Sequence, residues 1–363
     1  MSKTIRWGFL GTGAVAADFA QDLALVPGAE LGAVASRRLS QAQAFAQAFK
    51  IPQTYASYAD LVAAPDLDLI YIATPNSRHK EDCLSALSAG KGVLCEKPLA
   101  LNAQEAGEII AFAQIKNLFL MEALWTRFNP LIQKVKTLLC EGKIGQPLYF
   151  QADFGYPVPY DPQSRFYAPE GGGALLDRGV YLLSLAQYFF GAPAQIQSQA
   201  LFAPTGVEDQ CLVNLTYGDG LQASLLATFK TYGTNSAVIL GTQGQIQIEA
   251  PLYFPSHYRL TQFDLPSTPV PGFSPPGSKQ KLLGRLQGNA LGAALLQRLQ
   301  RGNRQRQAKI RFLPHLGKGY FYEAAEATRC LQQGQTQSAA MPLGDTLQVM
   351  EQMDVIRGLW PRP

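Results

Sequence analysis

Along roughly the first 120 residues, short apolar and β-branched runs alternate with longer stretches in which apolar side chains return every three or four positions. The short runs, residues 5–10, 31–35, 69–73, 92–96 and 118–123, read as strands. The longer ones, 15–25, 40–49, 77–89 and 103–116, read as amphipathic helices, several entered through a Ser or Asn suited to capping. Strands that alternate with helices close as a parallel sheet, because each helix supplies the crossover that parallel pairing requires. The pattern predicts a doubly wound Rossmann α/β domain over residues 1–123.

Beyond a helical stretch at 129–140 the texture changes. Strand candidates at 146–153, 194–202, 210–217, 221–231, 236–241 and 245–248 follow one another with turn residues between, and Tyr217-Gly218-Asp219-Gly220-Leu221 carries a hairpin signal. Strands joined by such short turns pair antiparallel. One long helix is expected at 174–190 and two more at 320–333 and 343–358. Residues 124–363 are therefore expected to form an α+β domain with a mainly antiparallel open sheet.

The first strand runs into Gly11-Thr12-Gly13-Ala14-Val15-Ala16, a G-x-G-x-x-A that opens a helix. The first glycine makes the tight turn, the second admits a pyrophosphate to the backbone, and the small sixth residue lets helix and strand pack closely. At the end of the second strand stand Ser36-Arg37-Arg38. A carboxylate there would hold a ribose 2′-hydroxyl, whereas a hydroxyl with two guanidiniums suits a 2′-phosphate, so NADP is expected over NAD. Thr74-Pro75-Asn76 ends the third predicted strand and Glu96-Lys97-Pro98 the fourth, both at the carboxyl edge where such sheets bind ligands; His79 lies beside the first of these.

With Asp177-Arg178-Gly179-Val180-Tyr181, these residues resemble the Gfo/Idh/MocA oxidoreductases. Met121-Glu122-Ala123-Leu124-Trp125-Thr126-Arg127-Phe128, Gly171-Gly172-Gly173 through Asp177, and Met341-Pro342-Leu343-Gly344-Asp345-Thr346-Leu347 are similar to its dimeric dihydrodiol dehydrogenase and NADP-dependent D-xylose dehydrogenase branch. The resemblance implies that Lys97 is catalytic or positions substrate beside a cis Lys97–Pro98 bond. It implies Tyr181 as proton donor and acceptor with Asp177 orienting, Trp125 and Phe154 at the substrate, and a homodimer paired through the sheet of residues 124–363, which also binds substrate. The charge of Lys97 is expected to lower the tyrosine's pKa. Arg127 and Arg165 could hold phosphate, substrate hydroxyls or acidic partners; Arg127 is placed with the substrate and Arg165 with the cofactor. The expected reaction moves a hydride between NADP and a sugar-like or trans-diol carbon. A reductase of another carbonyl compound, such as an anhydro-sugar, and a non-catalytic NADP-binding regulator are the alternatives. The chain departs from the family's usual P-E-L-G-G-G at Pro169-Glu170-Gly171, where the leucine is absent.

Composition narrows the class. With 363 residues, 47% of them hydrophobic and 10% aromatic, the chain has the apolar surface for about two packed cores, which excludes a largely disordered protein. No apolar run approaches the ~20 residues of a membrane span, and Met1 to Trp7 enters a strand pattern with no signal-peptide core, so a cytoplasmic protein without an integral membrane segment is expected. Five singly placed cysteines read as free, mostly buried thiols, and three histidines without ligand spacing predict no metal. The charge is uneven: residues 265–322 hold ten of the 31 Lys and Arg and no acid, leaving 21 basic against 27 acidic side chains elsewhere. This basic insertion, about 265–315, carries a helical stripe of Leu282, Leu286, Ala290 and Ala293. No aromatic lies between Phe273 and Phe312 for bases to stack on, so nucleic acid is not expected as a partner. The stripe is expected to dock on its own subunit or its dimer mate, with an anionic membrane surface as the alternative.

Overall fold

Six parallel strands, β1 (Ile5–Leu10), β2 (Ala29–Ala35), β3 (Gln53–Tyr55), β4 (Leu69–Ile72), β5 (Gly92–Glu96) and β6 (Leu120–Ala123), form the first sheet in the order β3-β2-β1-β4-β5-β6. The computed structural model describes residues 3–263, 294 and 309–361. β1, β4 and β5 are covered on both faces, which is why, Arg6 and Glu96 apart, they read as apolar runs and not as alternating ones. The crossovers are α1 (Ala14–Leu23), α2 (Leu39–Phe49), α3 (Tyr58–Val62), α4 (His79–Ser88) and α5 (Ala103–Lys116). The strand order reverses between β1 and β4, and a crevice at that point, outside the carboxyl ends, is the ligand position of such sheets.

The chain leaves β6 through a 3₁₀ turn, Trp125–Phe128, into α6 (Pro130–Cys140), which Asn129 caps by accepting the Leu131 N–H at 2.8 Å. The second sheet runs β14-β13-β12-β11-β7-β10-β9-β8, built from β7 (Pro147–Gly155), β8 (Gln195–Phe202), β9 (Glu208–Thr216), β10 (Gln222–Thr228), β11 (Ala237–Gly241), β12 (Gly244–Ile248), β13 (His257–Gln262) and β14 (Lys309–Phe312). All its pairings are antiparallel except β7 with β10. The expected hairpin is present, with Gly220 at φ 87° and the Tyr217 N–H bonded to the Leu221 carbonyl.

One face of this sheet packs on α7 (Val180–Phe190) and the π turn Leu175–Gly179 before it. The predicted helix 174–190 thus changes its winding midway. Two last helices, α8 (Phe321–Gln332) and α9 (Leu343–Gly358), return to the first sheet's side, and α9 packs against both α5 and α7. Four of the five cysteines are buried and all five are free. The predicted helical stripe of the basic insertion lies outside the described residues; of its end, β14 pairs with β13.

Candidate active site

Gly11 follows β1 at φ 108°, and a Cβ there would sit 2.6 Å from the Ala73 carbonyl after β4, so only glycine closes this turn. Gly13 is different: a Cβ on it would meet nothing. It caps α1 with no side-chain hydrogen bond, leaving the first N–H groups of the helix without a side-chain partner. Gly13, Ala14 and Val15 are exposed, Thr12 is half-buried, and Ala16 is fully buried against the core. An open backbone cradle at a helix N-terminus fits a dinucleotide pyrophosphate. At the end of β2, Arg37 and Arg38 are exposed, while Ser36 is buried and donates its hydroxyl to Gln41.

The loop after β4 is held from behind. The Thr74 hydroxyl donates to Asp82, Pro75 is exposed, and the Asn76 amide donates to the Gly171 carbonyl at 2.9 Å, joining this edge to the glycine-rich turn of the second half. His79, expected at the cofactor, is wholly buried with Nδ1 2.8 Å from the Pro98 carbonyl and Nε2 3.0 Å from the Thr74 carbonyl. It braces two loops and has no face toward the cleft, a correction to the expectation. Burial pushes its imidazole below the ordinary value, so it is carried neutral.

After β5, the Lys97–Pro98 bond is cis. The Lys97 ammonium donates to the Asp177 backbone carbonyl at 2.7 Å and lies 3.4 Å from its carboxylate, and it sits over the Tyr181 ring, 4.7 Å from the centroid. Glu96 accepts from the Tyr71 hydroxyl at 2.5 Å and from the Lys97 N–H; burial raises its carboxyl. Asp177, on the π turn, also faces Arg165 at 3.7 Å and Arg178 at 3.8 Å. The Arg165 side chain is 63% exposed and lies over the Phe166 ring, 4.2 Å from its centroid.

Tyr181 is 7% exposed, and its hydroxyl accepts a 2.8 Å hydrogen bond from the Trp125 indole N–H. Phe154 meets its ring edge-on at 5.3 Å and stacks on Tyr253. Burial pushes the phenol well above its ordinary value, with Glu96 adding to the effect and the Trp125 bond opposing it. The expectation that Lys97 depresses this pKa is therefore corrected: the ammonium engages Asp177 and the ring face, and desolvation dominates. The protonated phenol is the resting form.

Arg127, expected at the substrate, is 0% exposed. Its guanidinium donates to the Ser184 hydroxyl and carbonyl and to Asp345, so it ties α7 to the start of α9 and leaves the pocket to others. The same region explains two of the sequence motifs: Glu122 on β6 accepts from the Leu99 N–H beside the cis proline and from Thr346.

Several residues escaped the sequence reading. Trp125 stacks on Tyr320 (4.7 Å, 5°) and Phe254 (5.2 Å, 18°), and Tyr253 and Tyr156 extend the aromatic wall past Phe154. Asp22, buried at the end of α1, accepts the backbone N–H groups of Lys318, Tyr320 and Phe321 and so anchors the strap that carries Tyr320. Glu323 is fully buried, and burial together with Glu96 and Asp22 pushes its carboxyl well above the usual range. The one available signal was the run Gly317-Lys318-Gly319-Tyr320, whose two glycines, both at positive φ, mark a turn just before α8.

A Rossmann crevice joined to a lysine, a tyrosine and a carboxylate under aromatic side chains defines an oxidoreductase that uses a nicotinamide dinucleotide. Residues 5–124 match the profile of the oxidoreductase family with an NAD-binding Rossmann fold, and residues 132–247 that of the GFO/IDH/MocA C-terminal domain. The chain is 32% identical to the trans-1,2-dihydrobenzene-1,2-diol dehydrogenase of Bos taurus over 361 residues, 97% of this chain and 96% of that one. It is 37% identical to the Sus scrofa enzyme of that name over 278 residues, covering 74% and 83%. Among solved structures, a 3-ketoreductase from Actinomadura kijaniata in complex with NADP and TDP-benzene superposes with a TM-score of 0.79 at 25% identity, covering 99% and 98%. Levoglucosan dehydrogenase shares the fold, with a TM-score of 0.78 at 22% identity over 98% and 96%. The protein belongs to the Gfo/Idh/MocA oxidoreductase family.

Among the described residues, no helix is long and apolar enough to cross a membrane.

Proposed function

We propose that the protein is an NADP-dependent dehydrogenase of a sugar-like or trans-diol substrate. The observation that carries this reading is the convergence of Lys97, Asp177 and Tyr181 at the carboxyl end of β5, beneath the Trp125 and Phe154 rings. Gly11, Thr12, Gly13, Ala14 and Val15 would hold the pyrophosphate, Arg37 and Arg38 the 2′-phosphate, and Thr74, Pro75, Asn76 and Glu96 the edge toward the nicotinamide. When bound, the nicotinamide accepts or supplies the hydride at C4.

Lys97 would polarise the reacting oxygen and Tyr181 would exchange its proton, while Asp177 holds the ammonium in place. A flat aromatic wall suits a diol ring or the apolar face of a sugar. Support comes from the dihydrodiol dehydrogenases at 32–39% identity and from the NADP-bound ketoreductase with the same fold. The exposed face of the second sheet, with Leu201, Leu212 and Leu240 among glutamines, supports a homodimer built on that face.

The test is a panel of pentoses, hexoses and trans-diols assayed with NADP⁺ and NAD⁺. The reading expects reduction of NADP⁺ by a pentose or a trans-diol. Tight NADP binding with no turnover on any member would favour a non-catalytic regulator, and activity confined to anhydro-sugars would favour the other reductase reading.

A further inference from the structure

A phenol has one proton to give and lone pairs to receive, whereas an indole N–H gives and never receives. The 2.8 Å bond between Trp125 and Tyr181 therefore runs one way only. The phenol proton cannot point at Trp125, and among the described residues the Tyr181 hydroxyl has no other hydrogen-bond partner. With the indole occupying one side of the oxygen, the proton is presented elsewhere, and the cleft holding Lys97 is the side left for a substrate oxygen.

The indole is itself held. It stacks on both Tyr320 and Phe254, and Gly319, at φ 115°, lies so close that any Cβ there would run into the Trp125 and Phe254 rings. The strap bearing Gly319 and Tyr320 is fastened by three backbone N–H groups to Asp22 on α1, the helix whose N-terminus faces the dinucleotide cradle. The donor's position is thus tied to the nucleotide-binding helix.

Building on the proposed role of Tyr181, we infer that Trp125 is a positioning residue for the transferred proton: its indole N–H aims the phenol proton at the substrate and holds the oxygen once that proton has left. This goes beyond a pocket wall, since a wall needs the ring and not the N–H. Removing the donor while keeping an aromatic ring weakens the phenolate relative to the phenol.

The chain has three tryptophans, Trp7, Trp125 and Trp360, so a ¹⁵N-labelled sample shows three indole N–H resonances, and the Trp125 signal is the one lost in Trp125→Phe. The inference expects that signal to shift in Tyr181→Phe while the other two stay. It also expects Trp125→Phe to raise the midpoint of the pH–kcat profile for oxidation by about one unit and to lower kcat at neutral pH about tenfold, with the KM for NADP unchanged. A wall-only role would raise substrate KM and leave the midpoint where it was, which overturns the inference. So does a Trp125 resonance that does not respond to Tyr181→Phe; if Trp125→Phe fails to fold, that signal is assigned by elimination, as the one kept in both Trp7→Phe and Trp360→Phe. Loss of turnover in Tyr181→Phe with an unmoved resonance rejects the inference alone. Full turnover in Tyr181→Phe rejects the acid–base reading, and the inference with it.

Discussion

The Lys97 ammonium is fastened to Asp177, by a 2.7 Å bond to its backbone carbonyl and a longer 3.4 Å approach to its carboxylate, and lies over the Tyr181 ring with no hydrogen bond to its hydroxyl. The backbone contact survives any side-chain change, so the carboxylate is separable from it. Asp177→Asn should leave the fold and NADP affinity intact and lower kcat about tenfold, the low end for a charged hydrogen bond. Steady-state kinetics with a cofactor titration checks this; unchanged kcat would show that the backbone carbonyl alone positions the lysine.

Arg127 and Asp345 form a pair whose cation is wholly buried. Asp345→Ala strands that charge and should destabilise the protein by about 3–5 kcal/mol, whereas Arg127→Met removes the charge, fills the space and should cost less. Urea unfolding of both variants decides the order. A large rise in substrate KM in Arg127→Met with unchanged stability would return Arg127 to the substrate site.

Glu208, at the start of β9, accepts the Leu175 N–H at 3.0 Å behind the glycine-rich turn, and burial raises its carboxyl from 4.5 to about 7. The folded chain thus holds this proton more tightly than the unfolded chain. Its stabilising contribution is full below about pH 4.5 and is lost as pH rises through about 7, an effect on the order of 2–4 kcal/mol. Glu208→Gln should flatten the fall in stability across that window. A wild-type and a variant curve of identical shape would remove Glu208 as its source.

Arg37→Ala combined with Arg38→Ala takes away the two candidate partners of a 2′-phosphate and leaves the glycine turn untouched. The KM for NADP should rise by the equivalent of about 1.5–3 kcal/mol with little change for NAD. Equal effects on the two cofactors would mean that the loop does not read the phosphate.

The first sheet was legible because burial on both faces writes β4 as an unbroken apolar run and leaves β1 and β5 interrupted only by Arg6 and by the final Glu96, and β5 and β1 keep their predicted bounds. β3 was not, since three half-buried residues, Gln53, Thr54 and Tyr55, pair only with the end of β2 and carry no pattern of their own. β13 and β14 escaped for a similar reason: they sit at the edge of the second sheet, where little apolar burial is required. The parallel pairing of β7 with β10 joins strands far apart in sequence, which short-turn logic cannot reach. At the site, the structure brings Lys97, Asp177 and Tyr181 together, and it was the family resemblance, more than spacing, that singled them out. The inward burial of Arg127 and His79 was not legible, because an arginine or histidine beside a cleft motif reads the same whether it faces the ligand or braces the wall. Tyr320 and Asp22 meet across about 300 positions, and only the folded chain shows it.

The central claim is that Tyr181 carries the proton. Tyr181→Phe keeps the ring that packs on Phe154 and removes only the hydroxyl. The account predicts normal folding, unchanged NADP affinity and a fall in kcat of about 10²–10⁴. Near wild-type turnover in that variant would contradict it.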